Sequence, residues 1–147
     1  GENMPILKYE YDFITGKKNP IGTHIEIETD AEKGSAACAW TVQENYIGYD
    51  HILHGGIAAS ILDNLMIYAG RAWSGQDVVT ANINVNYRTI AYVGDHLEGR
   101  AWVSAHRPGS RAIQLQAELR RGETIVTEAE GVVVIVYPAV DGRIEAG

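Results

Sequence analysis

The chain has 147 residues and a mass of 16.1 kDa, the size of one domain, and its mix of 46% apolar and 21% charged residues excludes a disordered tail or a fibre. Twelve Lys and Arg stand against 19 Asp and Glu, a formal net charge of −7, which is the wrong sign for a generic binder of duplex nucleic acid or of an anionic membrane. No apolar run reaches the roughly 18 residues a membrane helix needs, and the start lacks the basic-then-apolar pattern of a signal peptide. Cys38 is the one cysteine, so neither an internal disulfide nor a cysteine-based metal site can form. The compartment reads as cytoplasmic, and residues 1–147 read as a single domain without linker or repeat.

The first twenty residues mix charge, Gly16 and Pro20 with an apolar patch of Tyr9, Tyr11, Phe13 and Ile14; a loose helical turn covering a sheet edge is expected. After Pro20 the apolar pattern takes period two, the mark of half-buried strands. Thr23, Ile25 and Ile27 alternate with His24, Glu26 and Glu28, and a turn at Asp30 to Gly34 leads into a second strand, Ala36 to Val42. From Gly56 to about Trp73 the spacing becomes helical, with Ile57, Ile61, Leu62, Leu65, Met66 and Ala69 three and four residues apart. A helix this apolar is expected to be buried. Strand spacing then returns: Val79, Ala81, Ile83, Val85 and Tyr87 alternate with Thr80, Asn82, Asn84, Asn86 and Arg88, which predicts one polar face. Leu97 to Ala105 and Ile113 to Leu119 flank the turn Arg107-Pro108-Gly109-Ser110, and Thr124 to Tyr137 follows Gly122. Its run Val132 to Val136 predicts a central strand covered on both faces. The string predicts an α+β fold, an antiparallel sheet wrapped around one long central helix.

Chemistry concentrates in Ile52-Leu53-His54-Gly55-Gly56, at the start of that helix, and in Asp63, nine residues after His54. Glycines there let a ligand approach the backbone, and the first N–H groups of a helix favour a negatively charged oxygen. A carboxylate inside a buried helix is costly unless it is paired or faces a wet pocket. Two readings fit: tight packing with a satisfied core acid, or a reaction site.

His54-Gly55-Gly56, the apolar stretch and Asp63, together with Thr80-Ala81-Asn82-Ile83-Asn84-Val85-Asn86-Tyr87, resemble the hotdog-fold acyl-CoA thioesterases of the phenylacetate-degradation type. The resemblance runs from about His24 to Val136. It implies hydrolysis of an acyl-CoA thioester at a site built between two subunits of a homodimer or a dimer of dimers. CoA is then part of the substrate, no separate cofactor is needed, and neither nucleic acid nor membrane is a partner. It implies that the Gly56 amide polarises the thioester carbonyl and that Asp63, from the facing chain, is general base or nucleophile. Thr80 holds water or the acid. The residues agree: preorganised donors suit a developing oxyanion, a semi-buried Asp can serve either role, and no Gly-x-Ser-x-Gly elbow offers a triad instead. His54 is expected to shape the glycine turn, with Gly55 and Asn82 as substrate-binding residues.

The chain departs from this pattern in one loop. Many such relatives carry Asn at the Gly48 position and Gly at the His51 position; Asp50 and His51 either fill the missing water-positioning role or, the favoured reading, are plain loop residues. Arg107 and Arg111, flanking the Pro108-Gly109 turn, are candidates for the CoA phosphates or ordinary solvated arginines. Cys38 reads as core, and His24, His96 and His106 lack metal-ligand spacing, so no metal is expected. A hotdog module that binds acyl-CoA without turning it over is the alternative; a pure binder has no need of the Asp63 carboxylate.

Overall fold

In the computed structural model, which describes residues 4–144, the strand-forming stretches assemble into one sheet. The elements are β1 (Glu28–Asp30), β2 (Ser35–Thr41), a 3₁₀ turn (Glu44–Tyr46), α1 (Gly55–Ser74), β3 (Val78–Tyr87), β4 (His96–Ala105), β5 (Ala112–Arg121) and β6 (Thr124–Ile135). The sheet order is β1-β2-β4-β5-β6-β3, antiparallel throughout. Helix α1 lays Ala58, Ile61, Leu62, Leu65, Met66, Ala69 and Gly70 against it, the three- and four-residue spacing that puts side chains on one face. Leu97, Ile113, Leu115, Leu119 and Val133 meet them from the sheet, all buried. Cys38 packs among them: burial pushes its thiol up to about 11, against the lowering effect of a hydrogen bond to the Gly99 backbone. Gly75, in the left-handed region at φ 68°, ends the helix by donating its N–H to the Arg71 carbonyl at 2.8 Å.

Three expectations change. The alternation from Thr23 to Ile27 buries Thr23 and Ile25, yet only Glu28–Asp30 joins the sheet. The Thr23 and Ile25 amides donate instead to the Phe13 and Ile14 carbonyls. The N-terminal segment forms turns rather than a helical turn, and it covers the helix rather than a sheet edge. Asn64 donates to the Asp12 carboxylate at 2.7 Å, Tyr68 donates to the Thr15 hydroxyl at 2.8 Å, and the Tyr9 ring stacks on Tyr68 at 4.1 Å. Finally, β6 lies next to the edge strand β3, with Val133 and Ile135 buried and Val132 and Val134 only half-buried.

Candidate active site

The helix begins where its sequence favours it, with His54 as N-cap in an extended conformation. The His54 carbonyl accepts from the Ile57 and Ala58 amides at 3.1 and 3.0 Å. Because a trans peptide points its N–H opposite to its carbonyl, the Gly55 N–H is directed outward from the helix end. Among the described residues, none accepts a hydrogen bond from it. The Gly56 N–H is not free: it donates to His54 Nδ1 at 2.8 Å. Of the two glycine amides, the outward donor is therefore that of Gly55, a correction to the expectation for Gly56. With Nδ1 accepting, the neutral His54 ring carries its proton on Nε2.

Tyr87, the last residue of β3, was not expected at the site. Its hydroxyl donates to the Gly55 carbonyl at 2.7 Å. Its ring packs against Gly55, 3.3 Å at the nearest atom from where a Cβ would sit. Its place at the end of the Thr80-to-Tyr87 motif was the only signal in the sequence. A cleft of about 430 Å³ opens at the helix start, lined by Gly48, Tyr49, Ile52, Leu53, His54 and Gly55. A concavity of about 470 Å³ between Glu26, Glu28, Arg100 and Arg120 shares no residue with it and belongs to the outer face of the sheet.

Asp63 is half-buried on α1 and accepts a hydrogen bond from the Thr80 hydroxyl at 2.5 Å. A bulge at Ala81 makes that contact. Thr80 pairs with the buried Val133, whereas Asn82 pairs with Val132; the extra residue turns Thr80 inward and leaves Asn82, Asn84 and Asn86 on the outer face. The single polar face expected for Thr80 to Asn86 is thus split, and Asn82 is not beside Asp63.

The helix also sets distances. Asp63 stands eight residues beyond Gly55, about 12 Å along the axis at 1.5 Å per residue, too far for both to meet one carbonyl carbon within one chain. Arg107 and Arg111 lie at the opposite end. Trp73, in the last turn of α1, donates its indole N–H to His106 Nδ1 at 2.9 Å. Arg111 is committed to structure, giving Nε and Nη2 to the Ile135 carbonyl at 3.1 and 2.9 Å. Arg107 is exposed and unpaired among the described residues. Asp50 and His51 are exposed loop residues, and His51 adopts φ 67°. None of the described helices is long and apolar enough to cross a membrane.

A thioesterase superfamily family model matches residues 50–129, more than half of the chain. Among solved structures, a thioesterase superfamily protein superimposes with a TM-score of 0.74 at 23% identity, covering 85% of this chain and 60% of that one. This chain therefore spans less than two thirds of that relative. A conserved protein from Pseudomonas aeruginosa gives 0.71 at 19% identity, covering 89% of this chain and 95% of its own. The PaaI protein from the phenylacetic acid degradation operon of E. coli gives 0.68 at 21%, with coverages of 76% and 79%. These likenesses establish the fold. A search of curated proteins finds no match.

Proposed function

The chain belongs to the thioesterase superfamily, and from that premise we propose that it hydrolyses an acyl-CoA thioester to the free acid and CoA, as a hotdog-fold enzyme of the phenylacetate-degradation type. The observation that carries this reading is the half-buried Asp63 carboxylate held by the Thr80 hydroxyl. A module that only bound acyl-CoA would gain nothing from an acid placed there.

In the proposed reaction the thioester carbonyl oxygen accepts from the Gly55 N–H, whose outward direction is fixed before substrate arrives. Such preorganised donors stabilise the developing oxyanion. As a general base, Asp63 takes a proton from water while the water oxygen attacks the carbonyl carbon. The tetrahedral intermediate then expels CoA as the C–S bond breaks, and the sulfur takes up the proton. As a nucleophile, Asp63 attacks the carbonyl carbon and displaces CoA as the C–S bond breaks, leaving an acyl anhydride. Water opens it to the free acid and the Asp63 carboxylate, with the released proton passing to the CoA sulfur. Either route needs Gly55 and Asp63 at one carbon, so the site is assigned to two chains related by a two-fold axis. Edge strand β3 supplies the seam, since its outer backbone groups lack a partner strand among the described residues. Antiparallel pairing of two β3 strands sets the Val78 end of one beside the Tyr87 end of the other. That brings Arg107 of a second copy towards the Gly55 cleft, where it suits a CoA phosphate. A homodimer, alone or doubled to a tetramer, follows from this arrangement. No cofactor is proposed.

The binding-only alternative has one observation in its favour: Gly48, where many relatives carry Asn, offers no side chain to hold water beside His54. Asp63→Asn separates the two readings, with a panel of acyl-CoA esters followed by free-thiol release. The hydrolase reading expects kcat to fall by about 10²–10⁴, with an unchanged melting temperature and intact binding of a non-hydrolysable analogue. A folded variant with wild-type turnover would refute it.

A further inference from the structure

The peptide group between Gly55 and Gly56 is held at both ends. Its carbonyl accepts from the Tyr87 hydroxyl at 2.7 Å, and its N–H donates to His54 Nδ1 at 2.8 Å. The Tyr87 ring closes over Gly55, 3.3–3.4 Å from where a side chain would begin. Gly55 has no Cβ to restrain it, and a glycine at a helix end is otherwise free to rock. Tyr87 is itself anchored, because β3 pairs with β6 through Tyr87 and Thr127, and Thr127 is buried.

We propose that Tyr87 is a positioning residue: with His54 it clamps the Gly55–Gly56 peptide and so limits the rotation about the Gly55 Cα that would turn the preceding peptide, and with it the Gly55 N–H, away from its outward aim. This rests on the hydrolase reading, in which that N–H receives the thioester oxygen. Tyr87 acts through the glycine and need not touch the substrate. It also ties the helix start to the edge strand proposed as the dimer seam, so one residue spans the two features the site requires.

Tyr87→Phe removes the hydroxyl and keeps the ring over Gly55. Two readouts test it on the intact 147-residue chain: steady-state kinetics with an acyl-CoA ester, and backbone order parameters of the Gly55 and Gly56 amides by NMR relaxation. The clamp expects kcat to fall roughly tenfold, short of the 10²–10³ for losing an oxyanion donor outright. KM should stay within about twofold, because uniform binding is untouched. The order parameters should drop at these two glycines, from the rigid range near 0.85 towards about 0.6, with the rest of α1 unchanged. A merely structural role would lower the melting temperature and leave kcat per folded molecule and both amides as they were; that result overturns the proposal. If the wild type released thiol from no ester, the hydrolase reading would fall, and the glycine order parameters alone would still decide whether Tyr87 clamps the turn.

Discussion

Gly48 and His51 make opposite demands on the loop that leads into α1. His51 sits in the left-handed region at φ 67°, where an L-residue pays about 1–2 kcal/mol. Gly48 has no such φ, and a Cβ added there meets nothing closer than the His54 ring at 3.4 Å. Backbone and packing would therefore accept Ala at 48 and prefer Gly at 51. Gly48→Ala should stabilise by about 0.4–1 kcal/mol, chiefly by restricting the unfolded chain. His51→Gly should relieve the φ penalty, less about 0.5–1 kcal/mol for the added flexibility of glycine. Each is read as a rise of the thermal midpoint, by about 2–4 °C per kcal/mol. Gly131→Ala is the contrast: its Cβ would lie 2.5 Å from the Asn82 carbonyl, and the midpoint should fall. Equal effects at 48 and 131 would contradict this account of the backbone.

At the scale of elements, β4 and β5 are joined on the outer face of the sheet by Glu118, which accepts from Arg100 at 2.7 Å and from Arg120 at 2.8 Å. Burial is the largest single influence on Glu118 and pushes its pKa up, but the hydrogen bonds and charges of Arg120 and Arg100 together outweigh it, and the net shift is downward. A lowered carboxylate pKa stabilises the fold above the ordinary carboxylate range. That stability is lost as pH falls through the folded-state value. Glu118→Gln should thus cost about 1–2 kcal/mol at neutral pH, and the melting curves of variant and wild type should converge in acid. A gap that persists in acid would assign the effect to packing instead. The elements themselves were legible where periodicity marks them: α1, β2 and β3 to β6 lie where the spacing puts them. The bulge at Ala81 was not, because Thr80 and Asn82 are both polar and Val79 and Ile83 both apolar, so a slip of one residue leaves no mark in the pattern. Nor was the N-terminal cover of the helix, which is held by turn and side-chain bonds from Asp12 and Thr15 that carry no period.

At the scale of the molecule, His54 and Asp63 stand out in the sequence because glycines and an acid interrupt an apolar helix, whereas Thr80, in a strand of alternating polar residues, is singled out only by the family resemblance. The choice between two adjacent amides could not be read there, since it depends on where the His54 ring turns. The roughly 12 Å between Gly55 and Asp63 along α1 makes a site shared by two chains the central claim, and complementation between two inactive variants tests it most directly. Gly55→Pro removes the N–H at the first helical position, where the backbone accepts proline. The Tyr87 ring, 3.3 Å from the added Cβ, must shift to admit it, so the fold of this variant is checked by its melting curve. Asp63→Asn removes the base or nucleophile. Each homodimer should be folded, of dimeric mass and nearly inactive. After unfolding and refolding together in equal amounts, half of the dimers carry both chains, and each of these holds one intact site. Roughly a quarter of wild-type thiol release is therefore expected. Mixed dimers, verified by native mass spectrometry, that recover no activity would contradict the shared site, as would full turnover by a 16.1 kDa monomer.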